Sequence, residues 1–375
     1  MGRTSESAAV VILFMAMTML VKTTMAVKGV YWYYESGMSV SDIDSSLFTH
    51  IFYAFADLNN TTYKVSVATP SVASSFTSTL REKNPSVETL LSIGGGASEP
   101  DDFSSMANGS ASRKAFIDST IDLARSYGFS GLDLDWEYPE SDADIPNFTT
   151  LLQEWRAAVV DEAKSSGKTA LLLTAAVYYS STRTSWRTGN TVDFPIKSMK
   201  KNLDWVNVMD YDFQGPGWRP ATTYAPAALY DPLSSVDINT GLAAWINAGM
   251  PSCKMALGMP FYGRAWKLVN PTTDFGIGAA ADGAASGTGI ESGGAILYKN
   301  INAFIEDNDA ITVYNSTLVT NYCYSGTTWI GYDDVESVKT KVSYAKSNQL
   351  LGYFAWQIAG DDDFALSKAA SSQWD

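Results

Sequence analysis

Runs rich in β-branched and aromatic residues recur at eight places along the chain, over residues 27–34, 50–57, 87–94, 130–136, 170–178, 205–211, 254–261 and 350–356. Stretches with apolar residues at helical spacing lie between them. Phe116, Ile117, Ile121, Ala124 and Tyr127 share one face ahead of Gly128; Phe148, Leu151, Leu152, Trp155 and Val159 share another between Pro146 and Gly167; Val335, Val338, Val342 and Ala345 follow Asp333-Asp334. Aspartate ahead of the first apolar position and glycine past the last are helix start and stop signals. Strands that alternate with helices run parallel, because a crossover of this length returns the chain to the start of a neighbouring strand. Eight such units predict an α/β fold, a (β/α)8 TIM barrel, in which function collects at the C-terminal ends of the strands.

One interval breaks this rhythm. Between Trp266 and Asp333 no single helix pattern is found, only short β-like runs at 310–313, 322–324 and 328–332. The interval predicts a small α+β insertion after the seventh strand, at about 267–333, with its glycine-rich front, 276–294, as a mobile loop.

The fourth run carries the chain's most costly pattern. In Gly131-Leu132-Asp133-Leu134-Asp135-Trp136-Glu137-Tyr138-Pro139 three acids alternate with apolar residues. Alternate residues of a strand share a face, so Asp133, Asp135 and Glu137 line one side at steps of about 6.6 Å while Leu134 and Trp136 point the other way. Carboxylates are rarely buried in an apolar strand without partners, and crowding them raises the cost of ionising all three. Two such acids describe a solvated strand face. Three, ending at Trp-Glu-Tyr-Pro, describe a site.

Composition narrows the chemistry. The one histidine, His50, opens an apolar strand and reads as structural, so machinery built on histidine has little to rest on. Cys253 and Cys323 give no zinc spacing; they either pair or leave Cys323 a buried thiol. Arg3, the apolar run 8–21 and Thr24-Met25-Ala26 read as a secretory signal peptide over 1–26, leaving 27–375 as the mature chain. Five sequons, at Asn59, Asn60, Asn108, Asn147 and Asn315, mark candidate glycan sites if the chain is secreted. The net charge of −14 argues against nucleic acid or anionic membranes as partners and leaves a neutral polymer acceptable. Eleven Trp and twenty Tyr exceed the needs of a core, and flat aromatic rings are what sugar rings stack on.

The acidic segment matches the Asp-x-Asp-x-Glu signature of glycoside hydrolase family 18, and the chain after its leader resembles a plant class V chitinase. Several further segments carry the likeness. They are Ser92-Ile93-Gly94-Gly95, Met209-Asp210-Tyr211-Asp212, Pro260-Phe261-Tyr262-Gly263-Arg264 and Leu351-Gly352-Tyr353-Phe354-Ala355-Trp356. The resemblance implies a retaining endo-chitinase that needs no metal or cofactor and acts on chitin or chito-oligosaccharides through an oxazolinium ion formed by the substrate's own 2-acetamido group, the exception to the two-carboxylate rule. It assigns Glu137 as acid and then base, Asp135 as the partner of the acetamido N–H, Asp133 as sharer of a proton with Asp135, and Tyr211 as donor to the acetamido carbonyl. Tyr31, Phe55, Met209, Asp212, Arg264 and Trp356 are implied as substrate-binding, with Trp356 the floor under the sugar. By strand alternation Asp210 faces the helix layer and needs a partner there. Hydrolysis of lipo-chitooligosaccharides, as by legume Nod factor hydrolases, and a binding protein without turnover are the other readings. A monomer is expected, secreted to the extracellular space or else the vacuole.

Overall fold

The structure, a computed structural model, describes residues 26–375. The predicted leader lies, apart from Ala26, outside the described residues. Eight parallel strands form the centre: β1 (Val27–Tyr33), β2 (His50–Leu58), β3 (Glu88–Gly94), β4 (Gly131–Asp135), β5 (Leu172–Tyr178), β6 (Trp205–Met209), β7 (Met255–Pro260) and β8 (Gly352–Trp356). Each pairs in parallel with the next, and β8 pairs with β1, so the sheet closes. Closure removes both sheet edges and makes the strand period of two a choice between the inside of a barrel and its helix layer.

The outer set, including Val30, Ile51, Leu91, Leu132, Leu134, Val206, Leu257 and Tyr353, joins the continuous core beneath the helices. The inner set holds Tyr31, Phe52, Ala54, Leu90, Ala176, Trp205, Met209, Ala256 and Phe354. Trp136 packs outward against Phe103 and Phe148, as its place in the alternation predicts. His50 is buried at the start of β2, its Nδ1 2.8 Å from Thr49 Oγ1, and burial lowers it to about 4. That is a neutral structural imidazole.

The helix signals hold locally. Ser110–Tyr127 and Asp144–Ser166 end at Gly128 and Gly167 with φ of 74° and 69°, the left-handed cap that glycine adopts without a Cβ penalty. Asp334 caps Val335–Ser347 by accepting from the backbone N–H of Glu336 and Ser337. The first crossover differs from the expected alternation. Between β1 and β2 only two short 3-10 turns form, Val40–Asp42 and Ser45–Leu47. Serine and aspartate there compete for backbone hydrogen bonds and favour turns over a helix.

Between β7 and the helix Val335–Ser347 lies an antiparallel sheet whose strands include Tyr262–Leu268, Ala281–Ala284, Ile311–Asn315, Thr320–Ser325 and Thr328–Tyr332, together with a helix, Tyr298–Asp307. It begins at Tyr262, earlier than the 267 expected from sequence. A single bend residue, Phe261, separates one sheet from the other, so no loop marks the break. The glycine-rich front contains the strand Ala281–Ala284, paired with Tyr262–Leu268, so it is not wholly a loop. Cys253 is exposed and Cys323 buried, and both are free thiols.

Candidate active site

The cleft at the C-terminal end of the barrel has a volume of about 430 Å³ and is lined by residues from nearly every strand end. Asp133 forms its buried base. Ser92 on β3 and Thr174 on β5 are its register partners on the two flanking strands. Their hydroxyls donate to Asp133 Oδ2 at 2.8 Å and to Oδ1 at 2.6 Å, and Tyr31 Oη adds a third bond to Oδ2 at 2.8 Å. Asn207 donates to Tyr31 Oη at 2.9 Å and so fixes which way that hydroxyl points. Burial raises Asp133 and the three hydroxyls oppose it. They stabilise its charged form.

Asp135 lies one pleat nearer the cleft. Burial and the charges of Glu137 and Asp133 hold it well above the ordinary carboxylate range, and its buried Oδ1 has no hydrogen-bond partner. Asp133, one pleat deeper, accepts one hydroxyl on Oδ1 and two on Oδ2, which leaves an acceptor site on Oδ1. Burial raises both acids, the condition under which a pair of neighbouring carboxyls can hold a proton between them. Gly94, at φ 109°, lets β3 approach here: a Cβ would stand 2.2 Å from the Asp135 carbonyl oxygen, which accepts from Gly95 N–H at 2.8 Å.

Glu137 follows β4 by two residues and reaches into the cleft. Burial pushes its carboxyl up to about 7; the Tyr138 hydroxyl and Arg183 oppose this, and the Asp212 charge adds to it. Such a group holds a proton near neutral pH and can give it to a leaving oxygen. Tyr211 and Met209 line the opposite side, and burial holds the Tyr211 phenol well above its usual range. Asp212 takes a left-handed φ of 58°, and Arg264 fixes it by donating Nε and Nη2 to Oδ1 at 2.9 and 2.6 Å. Trp356 closes the floor, stacked on Phe55 at 5.4 Å and 21°.

Seven of the ten residues expected from sequence thus line one cleft: Phe55, Asp135, Glu137, Met209, Tyr211, Asp212 and Trp356. Asp133 and Tyr31 lie beneath it. Tyr31 is buried beside Trp356 with its hydroxyl bonded to Asp133, and the tyrosine of β1 that lines the cleft is Tyr33, one pleat further on. Arg264 stands behind Asp212 rather than on the cleft wall. Tyr33, Gly96, Ala97, Tyr138, Tyr178 and Tyr262 complete the lining and were missed. Position at a strand's C-terminal end was the available signal for Tyr33 and Tyr178. Asp210 does turn to the helix layer, where it is buried near Lys341, yet neither of its oxygens gains a partner; Lys341 donates instead to Asp333 and the Ala227 carbonyl.

A closed parallel barrel with a raised carboxylic acid at a strand end, above an aromatic floor, defines a glycosidase-type site. The comparisons with known proteins agree. Residues 28–361 match the model of the glycosyl hydrolases family 18, and the chain belongs to that family. It is 52% identical over 352 residues to a class V chitinase of Arabidopsis thaliana, covering 93% of this chain and 90% of that protein. Nod factor hydrolase protein 1 of Medicago truncatula is 41% identical over 358 residues, covering 94% and 91%. Among solved structures, a mutant class V chitinase of tobacco in complex with NAG4 superposes with a TM-score of 0.89 at 49% identity, covering 93% of this chain and 99% of that one.

Proposed function

We propose that this glycoside hydrolase cleaves β-1,4 bonds between N-acetylglucosamine units of chitin or chito-oligosaccharides, acting within the chain and with retention. Glu137 carries the reading: it is a carboxyl kept protonated near neutrality, in a cleft with an aromatic floor. It protonates the leaving oxygen, and the 2-acetamido oxygen of the sugar attacks the anomeric carbon to give an oxazolinium ion. Asp135, with its unpartnered oxygen, receives the acetamido N–H, and Tyr211 directs its hydroxyl to the acetamido carbonyl. Glu137 then takes a proton from the water that opens the ring. The other carboxylate lining the cleft, Asp212, is bound by Arg264 through two hydrogen bonds, which lowers its power as a nucleophile and favours the substrate-assisted route.

The test is product analysis by NMR with N-acetylglucosamine oligomers and their de-N-acetylated counterparts. The mature protein releases the β-anomer from the first and leaves the second intact, while Glu137→Gln is inactive on both. Release of the α-anomer, or cleavage of the deacetylated chain at a comparable rate, refutes the mechanism. Binding without cleavage makes the chain a lectin.

Similarity to the Medicago Nod factor hydrolase favours a second substrate class, lipo-chitooligosaccharides. The ratio of kcat/KM for acylated and unacylated oligomers of equal length decides between the two. The leader motif supports secretion, checked by sequencing the N-terminus of protein recovered from plant apoplastic fluid or vacuoles: Val27 is expected first.

A further inference from the structure

A small hairpin outside the barrel bears on the acid. Thr182–Thr184 and Thr191–Asp193 pair as two antiparallel strands after β5, and Arg183, in the first of them, is buried. Its guanidinium carbon lies 4.5 Å from the ring centroid of Tyr138 and 5.8 Å from that of Tyr178, both lining the cleft. Its Nη1 meets Glu140 Oε1 at 3.3 Å. Glu140 is buried as well, and Arg187, from the hairpin turn, approaches its other oxygen at 3.8 Å while donating to Asp101 at 3.3 Å. Asn190 adds a bond to the Glu140 backbone carbonyl. The loop that follows Glu137 is thus fastened to the hairpin through one carboxylate and one stacked cation.

We propose that Arg183 is a positioning residue for hydrolysis: stacked on Tyr138 and anchored by Glu140, it holds in place the cleft-lining ring next to Glu137 and sets a positive charge behind that ring. This rests on the reading of Glu137 as the proton donor. A planar guanidinium over a ring restrains the ring's tilt as well as its place, which a lysine ammonium does less well. The groups facing Glu137 are Asp135 at the end of β4, Tyr138 beside it, Tyr211 and Asp212 from beyond β6, Arg183 from the hairpin, and Gly96, whose site for a Cβ is 3.2 Å from Glu137 Oε1. Burial and Asp212 favour the protonated acid; Arg183 and the Tyr138 hydroxyl favour the charged one. The balance keeps the same group able to donate a proton in the first step and accept one in the second.

The test measures the pH dependence of kcat and kcat/KM for the wild type, Arg183→Met and Arg183→Lys, with the Glu137 carboxyl followed by 13C NMR in glutamate-labelled protein and identified by its absence in Glu137→Gln. Arg183→Met is expected to move the alkaline limb up by about 0.5 pH, since the cation is one layer removed and shared with Glu140. Its kcat falls about tenfold while KM changes by less than about twofold. Arg183→Lys keeps the charge and returns the limb toward the wild-type pH with kcat only partly restored. A merely structural role lowers the melting temperature and the active fraction and leaves the limb in place, and that result overturns the proposal. Should Arg183→Met not fold, Arg183→Lys decides alone: full wild-type kcat across the profile also overturns it. If the Glu137 signal titrates higher in Arg183→Met while the limb stays still, the link between Arg183 and Glu137 holds and the assignment of Glu137 as proton donor fails.

Discussion

Glu137→Gln should stabilise the protein above neutral pH and leave it unchanged in acid. Burial raises the Glu137 carboxyl from 4.5 to about 7. Below 4.5 the folded and unfolded chains both carry the proton and the group costs nothing. As pH rises from 4.5 through 7 the unfolded chain loses its proton first, so the stability present in acid is progressively lost. At about 1.36 kcal/mol per pH, that displacement corresponds to an upper figure of about 3.4 kcal/mol. Glu137 is only half-buried and faces an open cleft, so solvent screening lowers the expected gain at pH 8 to about 2 kcal/mol. Glutamine keeps the shape and has no charge to desolvate. With an unfolding entropy near 2.1 cal/mol/K per residue, about 2 kcal/mol on a chain of this length is about 3 °C in melting temperature. The assay is calorimetric melting of both proteins from pH 4 to pH 8: curves that coincide at pH 4 and separate above 5, with the variant higher, are expected. Parallel curves across the range, or a variant that melts lower at pH 8, would refute the account of Glu137 as a desolvated acid.

Two further outcomes follow from packing. A Cβ at Gly258 would stand 2.5 Å from the Val208 carbonyl oxygen, 2.7 Å from Phe354 Cζ and 2.9 Å from Tyr211 Cε1. Gly258→Ala is therefore expected to cost about 1–3 kcal/mol and to lower kcat by displacing Tyr211, checked by melting and steady-state kinetics; wild-type values for both would sink the argument. Thr174→Val removes the 2.6 Å bond to Asp133 Oδ1, costing about 1–3 kcal/mol at neutral pH and less in acid, where Asp133 takes a proton; urea denaturation at pH 4 and 7 reads the difference, and equal losses at both would count against it.

Strand and helix alternation is a local property, and so is the side on which a residue of a strand falls. The sequence by itself therefore determined the eight barrel strands, the stops at Gly128 and Gly167, and the sharing of one side by Asp133, Asp135 and Glu137. The turn of Asp210 to the helix layer was legible for the same reason. Which residues meet across the barrel is not local. Closure and register bring Ser92, Thr174 and Tyr31 together on Asp133 from three strands, and their hydroxyls stabilise its charged form. Tyr31 and Tyr33 share a face in the sequence, and only the depth of the barrel decides that one supports Asp133 while the other lines the cleft. Arg183 carries no signal of its own in a polar loop, and Tyr262 belongs to a second sheet that starts without a turn. The acid's proton affinity is likewise decided by the tertiary structure, because desolvation depends on everything that surrounds a carboxyl and not on the residues that precede and follow it.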